Sequence, residues 1–199
     1  LNQNLSIYHG DPLEIILEII DRMDIKEIYW NRCYEPWRIK RDTQIKKELE
    51  SKGIKVNTLN GSLLWEPWTI KKGDGTPYKV FTPYFRKGCL LSDEPRKPIS
   101  IPINLDLFHD NNSLKDINAL SLLPSTKWDI AMKSFWNIGE LGANNRLTEF
   151  LNNGVENYKE GRNIPSKPFV SRLSPHLHFG EISSNQAWYT AKQKGDDTN

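Results

Sequence analysis

Phe169-Val170-Ser171-Arg172-Leu173-Ser174-Pro175 is the stretch of this 199-residue chain whose residue types and spacing are most suggestive of chemistry. Hydroxyls at Ser171 and Ser174 flank the Arg172 guanidinium. Backbone N–H groups ahead of a helix, together with serine hydroxyls, can hold phosphate. Arg172 can pair with phosphate or with a carboxylate. An ordinary Ser-Pro turn between helices uses the same residues, and such turns are common. His176-Leu177-His178 follows, with Glu181 close behind. Two histidines and an acid can ligate a metal, yet no third ligand set stands at a recognised spacing. Packed, hydrogen-bonded histidines are therefore the expectation.

Seven tryptophans, Trp30, Trp37, Trp65, Trp68, Trp128, Trp136 and Trp188, follow no single helical stripe. Aromatic rings can stack on bases or cofactor rings; most tryptophans serve cores and interfaces. No catalytic triad signature, Walker loop, GxGxxG or zinc spacing is present.

The elements that must position these residues can be read from patterning. Asp11-Pro12 with Glu14 is a helix start, with Asp as cap and Pro in the first turn. Leu13, Ile16, Leu17 and Ile20 then recur at helical spacing. Residues 25–30 read as a short buried strand and 31–36 as the loop at its carboxyl end. Residues 37–52 read as a helix with Ile45 and Leu49 inward, closed by Gly53. Residues 54–59 read as a second strand. Helix, strand, helix, strand in that order predicts parallel strands with crossover helices. Residues 1–60 thus read as the later part of a Rossmann-like α/β sheet, and two strands alone predict that earlier ones precede them.

Residues 61–80 are loop-like. Thr82-Pro83 predicts a short helix reaching Leu91. Residues 92–127 hold Pro95, Pro98, Pro102 and Pro124, a linker composition that predicts an interdomain connection. From Phe135 the chain reads as helical, with Leu141, Leu147, Phe150 and Leu151 as its apolar stripe and Gly154 at its end. One more helical turn fits 155–161, and an extended Pro-containing stretch fits 162–170. Ser183 and Gln186 form a capping box for a last helix reaching about Lys194.

Composition sets the outer bounds. Hydrophobic residues make up 37% and charged residues 26%, which allows a core of modest size. No run of about 18 apolar residues exists, so no membrane span is expected. The start, Leu1-Asn2-Gln3-Asn4, is not a signal peptide and predicts a chain whose true beginning lies upstream. Cys33 and Cys89 are too few for a disulfide framework and read as reduced thiols of a cytoplasmic protein. Residues 22–100 carry 17 Lys/Arg against 10 Asp/Glu. That surplus can attract phosphate, although a solvated basic face explains it equally.

Three segments carry a resemblance to a known family. Tyr29-Trp30-Asn31-Arg32-Cys33-Tyr34-Glu35-Pro36-Trp37, followed by Arg41-Asp42, resembles the strand, loop and helix of the photolyase/cryptochrome antenna domain. Tyr78-Lys79-Val80-Phe81-Thr82-Pro83-Tyr84 is similar to that family's YKVFTPF segment. Ser171-Arg172-Leu173-Ser174-Pro175-His176-Leu177-His178-Phe179-Gly180-Glu181-Ile182-Ser183 is similar to its TSRLSPxLxFGEIS segment. The three occur in the family's order, and the likeness runs from about Leu5 to Lys194.

The resemblance implies an α/β antenna domain joined by a long linker to an all-α FAD-binding domain. The implied divisions are 1–91 for the antenna domain, 92–133 for the linker and 134–199 for the first helices of the FAD domain. It implies FAD contacts from Tyr158, Val170, Ser171, Arg172, Leu173 and Ser174. Val170 stands where the family usually has Thr, so it offers a backbone N–H without a hydroxyl. An antenna chromophore, methenyltetrahydrofolate or a deazaflavin, is implied; Pro36-Trp37-Arg38 replaces the Asn-Glu pair of some folate-binding members. The implied activity is light-dependent splitting of cyclobutane pyrimidine dimers by an electron from excited reduced FAD, on a lesion flipped out of UV-damaged DNA. A cryptochrome photoreceptor without repair activity is the alternative. The resemblance further implies a cytoplasmic monomer without a metal site. The rest of the helical domain, including the electron-relay tryptophans and the lesion pocket, is expected beyond Asn199. No catalytic residue is expected within these 199 residues, and the piece alone is expected to be inactive.

Overall fold

The structure, a computed structural model, describes residues 5–108 and 110–197. It divides into two compact units, residues 1–59 with 100–130, and residues 60–99 with 131–199.

In the first unit, the Asp11 carboxylate accepts from the N–H groups of Leu13 and Glu14 at 2.9 and 3.1 Å. These bonds satisfy donors that a helix start leaves unpaired. Pro12 opens helix α1, Pro12–Met23. Strand β1, Glu27–Asn31, helix α2, Pro36–Ser51, and strand β2, Lys55–Leu59, follow. The strands pair in parallel, in register from Glu27 opposite Lys55 to Asn31 opposite Leu59, as the element order predicts. Gly53 adopts φ +80° after α2, a conformation that glycine reaches without Cβ strain. Ile20, Ile45, Leu49, Ile54 and Val56 form the core, with Leu13, Ile16 and Leu17 of α1 packed on it. This is an α/β arrangement, with a two-stranded sheet among the described residues.

In the second unit, residues 81–91 are helical, but Val80 rather than Thr82 occupies the cap position, and the middle, Tyr84–Gly88, is a π-helical turn. Helix α3 spans Glu140–Asn153. It starts later than the expected Phe135, because Gly139 (φ +99°) breaks the chain at its entry. Leu141 was expected on the inward stripe but is 82% exposed. It lies two residues from Ala143, on the wrong side of a 3.6-residue period. The buried stripe is Ala143, Leu147 and Leu151, and it packs with Leu173 and Ile182. Short helices α4, Tyr158–Gly161, and α5, Ser174–His178, precede helix α6, Ser184–Asp197. The Ser183 hydroxyl accepts from Gln186 N–H at 3.0 Å, as the capping pattern predicts.

Part of the proline-rich stretch is stapled to α6. Buried Asn185 donates to the Arg96 carbonyl at 2.6 Å, and Tyr189 donates to the Pro95 carbonyl at 2.5 Å. Lys192 pairs with Glu94 at 2.5 Å. Trp65 donates to the Asp93 carbonyl at 3.0 Å and meets Trp188 edge-on at 5.5 Å. Among the described residues no helix is long and apolar enough to cross a membrane.

Candidate functional site

The Ser171–Ser174 stretch is shaped from both ends. Leu173 is buried in the α3 core, which anchors the turn from below. Arg172, next to it, sits at φ +52°, in the left-handed region that non-glycine residues seldom adopt. The Ser171 hydroxyl accepts weakly from Leu173 N–H at 3.4 Å. Ser174 opens α5 at the surface.

Beside this turn lies a cleft of about 290 Å³ whose walls include Arg146, Glu149, Phe150, Asn153, Val170 and Arg172. Arg146 pairs with Glu149 at 3.0 Å. Two guanidinium groups thus face one carboxylate, leaving the cleft with a net positive charge. That balance suits an anionic ligand.

Tyr158 is placed one ring away. Its ring meets Phe150 edge-on at 5.9 Å, and the Arg162 guanidinium lies 5.5 Å from its centroid. Of the residues singled out from sequence, Val170 and Arg172 line the cleft, and Tyr158 reaches it through Phe150. The Leu173 side chain belongs to the core instead, and Ser171, Leu173 and Ser174 stand beside the cleft rather than on its walls. Arg146, Glu149 and Asn153 were not anticipated, and Phe150, expected on the inward stripe, packs on the core and also lines the cleft. Their spacing carries a signal: positions i, i+3, i+4 and i+7 mark one face of a helix, here the face of α3 next to its buried stripe.

His176 is 3% exposed, and its Nδ1 lies 2.5 Å from Glu181 Oε2. This is the packed, hydrogen-bonded histidine expected from the sequence. The hydrogen bond to His176, reinforced by the Gly139 N–H, holds the Glu181 carboxyl below its ordinary range. The Trp136 ring meets the imidazole edge-on at 6.1 Å.

In the α/β unit, the loop after β1 is tied to the next strand. Arg32 donates to the Thr58 carbonyl at 2.5 Å and to its hydroxyl at 3.1 Å. The Trp37 ring lies 5.1 Å from the Arg38 guanidinium and 5.5 Å from that of Arg41. A second pocket of about 290 Å³ opens there, with Trp30, Cys33, Arg41 and Asp42 on its walls.

Residues 1–100 match the sequence model of the DNA photolyase family. The chain belongs to that family. A deoxyribodipyrimidine photo-lyase of Agrobacterium fabrum is 34% identical to it over 94% of this chain and 39% of its own length. Cryptochrome-1 of Arabidopsis thaliana is 26% identical over 92% of this chain and 27% of its own. The crystal structure of a bacterial class III photolyase from Agrobacterium tumefaciens superposes with a TM-score of 0.82 at 36% identity, covering 90% of this chain and 37% of that one. The chain therefore spans well under half the length of these photolyase-family relatives, and the three segments that carried the resemblance all fall inside the shared region.

Proposed function

We propose that this chain is part of a light-dependent DNA-repair flavoenzyme that splits cyclobutane pyrimidine dimers in UV-damaged DNA. The observation that carries the reading is the cationic cleft between α3 and the Ser171–Ser174 turn, in a chain of the photolyase family. Its donor set fits a dinucleotide's diphosphate. Arg146 and Arg172 offset the charge, the backbone and hydroxyls of Ser171–Ser174 donate to phosphate oxygens, and Val170 contributes its N–H. Tyr158 borders the same ligand through Phe150. Reduced FAD, when bound and excited, supplies the electron for ring splitting. The protein's own task is to bind it, orient it and exclude water.

The wider organisation is part of the same proposal: a Rossmann-like antenna domain at 1–91, a linker at 92–133 and the start of an all-α FAD domain at 134–199. The parallel β1–β2 pair and the helices from Glu140 onward support its two ends, while residues 60–99 group with the helical unit and 100–130 with the α/β unit. An antenna chromophore, methenyltetrahydrofolate or a deazaflavin, accompanies the α/β unit. The whole protein acts as a cytoplasmic monomer.

The complete natural protein is expected to carry flavin absorbance and to remove cyclobutane dimers from irradiated DNA only under light. Flavin without dimer loss would favour the cryptochrome reading, which the Arabidopsis relative supports. A purified protein unable to take up flavin would sink both.

A further inference from the structure

We infer that the His176–Glu181 pair is a positioning latch that holds the Ser171–Ser174 turn in its ligand-binding shape, an inference that rests on the reading of this turn as the FAD diphosphate site. Arg172 supplies the motive. A non-glycine residue in the left-handed region is strained and persists only where its surroundings over-determine it. One constraint is Leu173, sunk in the core beside Leu147 and Leu151. A single anchor leaves the chain free to rotate about it, so a second is needed close by.

His176 is that second anchor. Only Ser174 and Pro175 separate it from Leu173, and the proline ring restricts that short link. The imidazole is buried, and its Nδ1 meets the Glu181 carboxylate at 2.5 Å. The main chain repeats the contact: Glu181 N–H donates to the His176 carbonyl at 2.9 Å. The Glu181 side chain is 17% exposed. One carboxylate thus joins α5 to the turn into α6. Because it faces Nδ1, that nitrogen carries the imidazole proton, which fixes the tautomer and the ring's orientation. Neither residue lines the cleft, so the pair acts on a ligand only through the turn.

The test uses the FAD-loaded complete protein. His176→Phe keeps a ring of similar size and removes the donor; His176→Asn keeps a donor near the Nδ1 position. His176→Phe is expected to raise the FAD dissociation constant about tenfold, about 1.4 kcal/mol. It should also displace the two ³¹P resonances of bound FAD while the isoalloxazine absorbance band stays in place. His176→Asn should restore both readouts to within about twofold of wild type. Glu181→Gln removes the charge and should displace the same resonances, and it carries the test if His176→Phe fails to fold. If Arg172→Ala and Ser174→Ala weaken FAD binding while His176→Phe and Glu181→Gln leave affinity and ³¹P shifts unchanged, the latch is overturned and the cradle stands. If all four leave them unchanged, the diphosphate site itself is wrong and the latch falls with it.

Discussion

Arg22 and Asp110 meet in a two-bond fork, Nη1 to Oδ1 at 2.8 Å and Nη2 to Oδ2 at 2.7 Å, across 88 residues of chain. The Tyr8 hydroxyl donates to the same carboxylate, as does Asn112 N–H at 3.0 Å. Asp110 N–H in turn donates to the Ser6 hydroxyl at 3.2 Å. The Asp110 side chain is 5% exposed. This one residue ties the 100–130 segment to α1 and to the stretch before it, and a forked guanidinium–carboxylate contact is well suited to that.

Asp110→Asn should show what the fork contributes. The Arg22 guanidinium, with the Tyr8 hydroxyl, holds the Asp110 carboxyl well below the usual carboxylate range. Its folded-state value is thus lower than its unfolded one. Its stabilisation is complete above about pH 4 and is lost as pH falls through the folded-state value. Wild type should lose melting temperature on acidification below about pH 4, and the variant should lose less over the same interval. At pH 7 the variant should melt about 5 °C lower, because it leaves Arg22 with half a fork. Thermal melts across pH 2.5–7 check both points; parallel curves for the two proteins would refute the argument.

Arg172→Gly should separate stability from binding. Glycine adopts φ +52° without Cβ strain, so the apoprotein should gain about 0.5–1 kcal/mol. FAD affinity should fall about tenfold as one guanidinium leaves the cleft. Denaturant titration and flavin titration read the two effects, which are expected to have opposite signs.

Gly161→Ala should disturb the site from behind. A Cβ there would lie 2.4 Å from the Phe169 ring and 2.6 Å from Phe169 Cβ, which cannot swing away as a side-chain tip can. Overpacking of this kind costs about 1–3 kcal/mol. Tyr158 and Val170 flank this contact, so weaker FAD retention should accompany the lower stability, measured by gel filtration of the loaded protein.

Much of the α/β unit was legible because its signals are local. Asp11-Pro12 caps through its own side chain and the next two N–H groups. The Leu13, Ile16, Leu17, Ile20 spacing declares one buried face whatever lies opposite. Parallel pairing of β1 with β2 follows from a helix standing between two short apolar runs. Ser183 with Gln186 is a similarly local device. The helical unit was less legible where two faces of one helix compete. α3 carries Leu141 at a position that suits a core by residue type but not by angle, and the cleft-facing Arg146, Glu149 and Asn153 resemble any solvated stripe until a second wall is placed beside them.

Residue types alone determined the capped helices, the strand order and the Ser-Arg-Leu-Ser turn as a phosphate-binding candidate, since each depends on neighbours a few positions apart. Only the tertiary structure decided that Arg172 is left-handed, that Leu173 points into the core, and that Asp93–Arg96 lies against α6 and Asp110 against Arg22. Those contacts join residues far apart in the chain, or choose between faces of one element. They follow from which apolar surfaces meet and which buried polar groups need partners, and no local pattern encodes that.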